Sequence, residues 1–207
     1  GIPKGVFNMV TGGDEPGKAL AAHPDLNGIT FTGSYAVGMQ IIKTFPTATG
    51  QYRPVVAEMG GKNPTIITAK ADVEKAAYGV MRSAFGLTGQ KCSACSRVYI
   101  DSSLKDAFLN KLIDLTENIN VGDPTEKDNY MGPIINEDAY NAYKSYVEEM
   151  SAGNIVIGGK TLDVGNGYFV APTIVTDLPD DHRLWKHEMF APIVAIREFD
   201  EKDEAMK

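Results

Sequence analysis

DVEKAAYGVMRSAFGLTGQKCSACSRVYID, residues 72–101, contains a helix, a loop and a strand in one run. Val73, Ala76, Ala77, Val80, Met81, Ala84 and Phe85 recur at helical spacing, and Asp72 stands where an N-cap belongs. Gly86 and Gly89 break that period, and Arg97–Asp101 reads as a strand. The loop between them holds both cysteines of the chain, Cys92 and Cys95. Their C-x-x-C spacing fits half a metal site, a dithiol pair or one reactive thiol beside a bystander.

Working outward, the same alternation of strand and helix continues. Strands are expected at Gly5–Thr11, Asn27–Thr32, Pro54–Ala57 and Pro64–Thr68, with helices at Lys18–Ala22 and Tyr35–Phe45. C-terminal to Asp101, Ser103 opens a helix with Leu104, Ala107, Phe108, Leu112 and Leu115 on one face. A helix from about Asn136 to Met150 and short strands near Ile155–Ile157, Tyr168–Val170 and Pro192–Phe199 follow. Short connections between alternating elements predict an α/β fold with a mostly parallel sheet flanked by helices. A boundary is expected near Gly60 and Gly61, dividing 1–60 from 61–207.

The composition narrows the function classes. With 207 residues the chain can bury a sizeable core, and 43% hydrophobic with 23% charged residues describes an ordinary globular protein. A net charge of −7 argues against a nucleic-acid partner. No stretch approaches the roughly 20 apolar residues that span a bilayer, and the opening GIPKGVFNMV lacks the form of a signal peptide. Two cysteines do not make a secreted disulfide framework, so a cytoplasmic setting is expected. The chain opens inside a continuing fold and stops at DEKDEAMK (200–207), where a helix is starting, which suggests a segment of a longer protein.

Three stretches carry chemistry. In FTGSYAVG (31–38) a strand ends, Gly33 permits a tight turn, Ser34 can cap the coming helix and Gly38 lets it pack closely. Free N–H groups at such a helix start favour an anion such as a pyrophosphate, yet the same residues also make an ordinary capped turn. In VVAEMGGKNP (55–64), Glu58 stands at the carboxyl end of a strand, where open α/β sheets place ligands. A partly desolvated carboxylate there could serve as a general base, and a plain surface Glu fits equally.

In GQKCSACSR (89–97) the metal option weakens, because beyond the cysteines only His23, His182 and His187 remain and none pairs closely with them. A dithiol centre wants its C-x-x-C at a helix start after a strand, and here the strand follows the pair. A single nucleophilic thiolate or an inert buried thiol is left.

Taken together, FTGSYAVG, VVAEMGGKNP, GQKCSACSR and HEMFAPIVAI (187–196) resemble the NAD(P)-dependent aldehyde dehydrogenase superfamily, in order and in spacing. MGPII (131–135) and GYFVAPTIV (167–175) support the match. The resemblance runs over essentially the whole chain. It implies that Cys92, in the G-Q-x-C frame, is the catalytic nucleophile and that Cys95 is a structural neighbour. Glu58, 34 positions earlier in an E-x-G-G-K motif, matches the general base. Gly33, Ser34 and Gly38 match the dinucleotide-binding turn, and Glu188 and Phe190 match the E-x-F residues that hold the nicotinamide ribose and ring. Ala191 stands where that motif usually has Gly.

The implied chemistry oxidises a small aldehyde to a carboxylic acid. Cys92 adds to the carbonyl, hydride leaves to NAD or NADP, and Glu58 activates water to hydrolyse the thioester. Within the superfamily, EMGGKNP and GQKCSACSR look most like the 1-pyrroline-5-carboxylate (glutamate-γ-semialdehyde) dehydrogenases of proline catabolism, in which the Ser after the nucleophile, here Ser93, meets the substrate's carboxylate end. The resemblance also implies that 1–60 is the last portion of a Rossmann-like NAD-binding domain. Residues 61–207 would be a catalytic domain incomplete at its C-terminus, and the full-length protein a homo-oligomer; the Cys and His spacing, for its part, predicts no metal. The chain alone is then expected to show little dehydrogenase activity. Three alternatives stand: another aldehyde dehydrogenase subfamily, including a CoA-acylating relative; an inactive segment that only folds and associates; and a zinc-binding module.

Overall fold

The computed structural model describes residues 1–47 and 50–200, and the chain forms two compact units, Gly1–Gly60 and Gly61–Lys207. The helix start expected in 200–207 lies outside the described residues, Asp200 aside.

The first unit contains α1 (Asp14–Ala22), β1 (Ile29–Gly33), α2 (Tyr35–Thr44) and β2 (Val55–Met59). β1 and β2 pair in parallel, from Ile29 opposite Val55 to Gly33 opposite Met59. Parallel neighbours need a crossover, and α2 lies in it. Gly38 is where that helix comes closest to the strands: a Cβ there would lie 2.6 Å from Met59 Sδ and 3.3 Å from the Phe31 ring. α1 begins at Asp14, earlier than the Lys18 start expected. Asp14 and Glu15 suit the positive end of a helix, and Pro16 in the first turn forfeits no intrahelical donor.

The strand expected at Gly5–Thr11 does not form. Those residues run through turns and bends, and Val6, Phe7, Met9 and Val10 are 67–79% exposed. An apolar run becomes a strand only where a neighbour accepts its backbone hydrogen bonds, and the β1–β2 pair does not extend to it.

The second unit is a five-stranded sheet in the order β3 (Asn63–Ile67), β4 (Cys95–Asp101), β7 (Ile193–Phe199), β6 (Thr173–Thr176), β5 (Asn154–Ile157). β3, β4, β7 and β6 run parallel and β5 is antiparallel. Three helices accompany it: α3 (Val73–Phe85), α4 (Lys105–Glu117) and α5 (Glu137–Glu149). Strand alternation assigns each face. Val194 and Ile196 of β7, with Ile174 of β6, pack with Ala77, Val80, Phe85, Phe108 and Leu112 of α3 and α4. Ile193, Ala195 and Val175 point the other way, to Tyr143 and Tyr146 of α5 and to Leu184 and Trp185.

Two local expectations change. Tyr168 and Val170 make only isolated bridges, to Ile134 and Thr161, not a strand. β6 forms instead just beyond them, from Thr173, where no strand was expected. All four of its residues are buried, so it shows no alternation to read.

Two buried cations mark where folding is most exacting. Arg53 is 6% exposed and stacks 3.8 Å over the Phe45 ring. Its Nη1 donates to His23 O and Leu26 O at 3.2 and 3.0 Å, and Nη2 to Phe45 O at 2.9 Å, tying the loop after α1 to the end of α2. Lys62, just before β3, has a buried Nζ with no protein hydrogen-bond partner. Burial, then the Arg97 guanidinium, lower its pKa from 10.5 to about 7, against the pull of Cys95 and Glu188.

Arg53→Ala is expected to destabilise the first unit by about 2–4 kcal/mol in a urea melt, since the carbonyls of His23, Pro24, Leu26 and Phe45 lose a charged donor. Arg53→Lys recovers only part, lacking the fork. For Lys62 the unfolded chain holds a proton up to about pH 10.5 that the folded chain gives up near pH 7. This group's cost is therefore full below pH 7 and is relieved as pH rises through that window. Lys62→Met should raise the melting temperature most below pH 7 and little near pH 10.

Candidate active site

Parallel pairing sets one Glu and one turn side by side in the first unit. In the β1–β2 register Glu58 lies opposite Thr32, and the next pair is Gly33 with Met59. Glu58 thus sits at the carboxyl end of its strand, level with the end of β1 and the start of the Gly33–Ser34 turn. Its side chain is exposed, so the partial desolvation expected of it is not found. Ser34 caps α2, its Oγ accepting the Val37 N–H at 3.4 Å, which leaves the preceding N–H groups of the helix start free.

In the same unit, α1 and α2 flank a half-open cavity of about 550 Å³, lined by Ala21, Val37, Ile41 and Phe45 and by the polar Asp14 and Lys18 among others. That volume falls within the range of small-molecule sites. A mostly apolar slot next to a helix N-terminus fits the two ends of a nucleotide, a flat base and an anionic phosphate. Together with the close packing that Gly38 permits, the residues fit the adenosine and pyrophosphate portion of a dinucleotide.

In the second unit the two cysteines occupy opposite environments. Cys92 is exposed, in a turn closed by the Ala94 N–H to Lys91 O at 3.1 Å. Cys95 opens β4, is 3% exposed and belongs to the core. Its Sγ meets Thr65 Oγ1 at 3.1 Å, and its N–H donates to Ser83 Oγ at 3.0 Å. Burial pushes the Cys95 thiol up, outweighing its hydrogen bonds to Thr65 and the Arg97 carbonyl, so the reactive thiolate is disfavoured there. Ser93, next to Cys92, is exposed as well.

The loop before Cys92 is strained and closely packed. Leu87 and Thr88 have φ of 52° and 57°, left-handed values uncommon for such side chains. Gly89, at φ +66°, lies against the 188–191 segment: a Cβ there would stand 2.4 Å from Ala191 O. Only glycine meets both demands. Thr88 Oγ1 donates to Gly132 O at 3.1 Å, and Gln90 Oε1 accepts the Ile135 N–H at 3.0 Å, binding the loop to MGPII.

Glu188 and Phe190 come to the same place. Gly61, Gly89, Ala94, Glu188 and Phe190 share the lining of a cleft of about 10 Å³, and the Gly61 N–H donates to Glu188 Oε1 at 3.2 Å. Phe190 carries a positive φ of 49° and is half-exposed, whereas Ala191 is buried and has no positive φ. Alanine in place of the usual glycine is therefore free of backbone strain.

Two further residues, inside the quoted motifs but given no role there, join these pieces. Asn63 Nδ2 donates to Cys92 O at 2.7 Å and to Ala94 O at 3.1 Å. Arg97 Nε donates to Lys62 O at 3.0 Å, and its Nη1 to Trp185 O at 3.1 Å, linking β4 to the segment that leads to Glu188. Their bonds span 29 to 88 residues. The one sequence hint was their placement directly after Gly60-Gly61-Lys62 and Cys95-Ser96.

Comparison with known proteins places this geometry. Residues 1–207 match the sequence model of the Aldehyde dehydrogenase family. Among curated relatives, a 1-pyrroline-5-carboxylate dehydrogenase of Geobacillus thermodenitrificans is 40% identical over 212 residues, covering 100% of this chain. That of Bacillus licheniformis is 42% identical over 213 residues. The chain spans 41% of the length of these relatives. A Thermus 1-pyrroline-5-carboxylate dehydrogenase solved with bound NAD aligns with a TM-score of 0.87 at 34% identity, over 94% of this chain and 38% of that one. A gamma-glutamyl-gamma-aminobutyraldehyde dehydrogenase of Burkholderia cenocepacia aligns with a TM-score of 0.93 at 35% identity, over 99% of this chain and 42% of that one. With its full length matched by the family model, this chain belongs to the aldehyde dehydrogenase family.

Proposed function

We propose that this chain carries the nucleophile and the general base of an NAD(P)-dependent aldehyde dehydrogenase. The observation that carries the reading is the split between its cysteines: Cys92 exposed on a braced turn, Cys95 sealed in the core. Cys92 acts as the nucleophile, adding its sulfur to the aldehyde carbon, and its own backbone N–H helps to stabilise the oxyanion that forms. A nicotinamide cofactor, held by Ser34, Glu188 and Phe190, would supply the two-electron oxidising power that converts the Cys92 adduct to a thioester. Glu58 is the base that takes a proton from water, which attacks the thioester carbon and expels the Cys92 sulfur with the carboxylic acid as product.

Residues 1–60 supply the final part of the dinucleotide-binding domain in this reading, and 61–207 the nucleophile-bearing domain. Ser34 and the free N–H groups at the α2 start bind the pyrophosphate, with Gly33 and Gly38 giving the turn its close approach. The cavity between α1 and α2 receives the adenosine end. Glu188 holds the nicotinamide ribose, and Phe190 lies beside the ring.

The substrate proposed is L-glutamate γ-semialdehyde, the open form of 1-pyrroline-5-carboxylate. Supporting this are the names of relatives about 40% identical, and Ser93, whose exposed hydroxyl next to Cys92 suits a charged carboxylate end. The product would be glutamate. The presence of Glu58 favours hydrolysis over transfer to CoA.

The test uses the chain alone and the chain substituted for the matching segment of a full-length relative. The chain alone should form little or no NADH from glutamate semialdehyde, and the chimera should turn over. In the chimera, Cys92→Ala should abolish activity, a loss of about 10³-fold or more. Glu58→Gln should slow turnover by about 10²–10⁴-fold while an initial burst of NADH survives. Acyl-CoA as the product, or a chimera indifferent to Cys92→Ala, would overturn the reading.

A further inference from the structure

The β3–β4 ladder ends in an irregular step. Asn63 stands opposite Cys95 and Pro64 opposite Arg97, so the register shifts between the two. Pro64 has no N–H to give, and regular pairing cannot continue past it toward the nucleophile turn. The Asn63 carboxamide takes over. One N–H of its Nδ2 goes to Cys92 O at 2.7 Å and the other to Ala94 O at 3.1 Å, so it holds the carbonyls on both sides of Ser93. Gly61 leaves the room this requires: a Cβ there would crowd Asn63 Oδ1 at 3.1 Å and Cys92 O at 3.4 Å.

We propose that Asn63 is the positioning residue of the nucleophile turn, extending strand pairing by one side chain to fix the backbone from which the Cys92 sulfur projects. The inference rests on the reading of Cys92 as nucleophile. The effect is both geometric and electrostatic. Two N–H donors draw the carbonyl oxygens inward and offset their partial negative charge. Without them those oxygens face the turn, where they disfavour the anionic sulfur that does the chemistry. The same three-residue segment holds Glu188 through the Gly61 N–H, so the nucleophile turn and the ribose-binding carboxylate hang from one support.

The experiment measures carbamidomethylation of each cysteine by iodoacetamide at neutral pH, by peptide mass mapping of the intact chain. In the parent chain Cys92 should label fast and Cys95 stay protected. Asn63→Ala should slow Cys92 roughly tenfold, the scale of losing one to two hydrogen bonds. Asn63→Asp, the same shape with a negative charge for a donor, should slow it further. Asn63→Ser, which keeps one donor, should recover part of the rate.

Cys95 should remain protected in every variant. Parent-like rates in both Asn63→Ala and Asn63→Asp would overturn the proposal, as would Asn63→Ser no faster than Asn63→Ala. Opening of Cys95 together with Cys92 in Asn63→Ala would show that Asn63 merely holds two strands together, and would overturn it too. If Asn63→Asp does not fold, the Ala and Ser variants decide. Slow labelling of Cys92 in the parent chain, by contrast, would sink the nucleophile reading itself.

Discussion

A single carboxamide, on Asn63, grips the carbonyls of Cys92 and Ala94, and the chemistry-bearing part of the second unit is arranged around that grip. The closing bond of the turn it braces, from the Ala94 N–H to Lys91 O, is local, and Pro64 interrupts the regular ladder beside it. Immediately before it, the Gly61 N–H takes the Glu188 carboxylate, and the Lys62 carbonyl takes the Arg97 guanidinium. Three consecutive residues thus hold two distant stretches, 92–97 and the one bearing Glu188, by hydrogen bonds. The spacing of the G-G-K-N stretch is that of a hub.

The hub rests on a sheet packed on both faces. β3, β4, β7 and β6 run parallel, with α3 and α4 packed on one face and α5 on the other. Strain is concentrated at the loop that the sheet supports. Leu87 and Thr88 sit in left-handed backbone, Gly89 presses on Ala191, and Lys62 keeps an amine buried without a partner. Such features persist only where the surroundings over-determine them, and Leu87, Thr88 and Gly89 lie within five residues of Cys92.

The first unit solves a separate problem with the same economy. A parallel strand pair sets Glu58 level with the end of β1, and the helix that follows presents its N-terminus beside a mostly apolar cavity. Arg53 closes that unit from within by bonding backbone carbonyls of the 23–26 loop and of Phe45. A nucleotide needs an anion site and a flat apolar slot, and a capped helix lying close to two strands provides both.

Much of this was legible in the residues. The helical period after Asp72 foretold α3 with its cap, Ser34 foretold the start of α2, and Gly86 and Gly89 foretold the loop that follows α3. These are local properties, set by sterics and by hydrogen bonds spanning three or four residues. Where the decisive partner lay far along the chain, the sequence was silent or misleading. The apolar run at Gly5–Thr11 found no neighbour, and β6, buried on both faces, carried no alternation. Cys92 and Cys95 look alike as letters; the start of β4 turns one into the core and leaves the other in solvent. Asn63 is one more polar residue until folding brings it to a turn 29 positions away, because hydrogen bonds depend on proximity in space and the order of residues does not encode it directly.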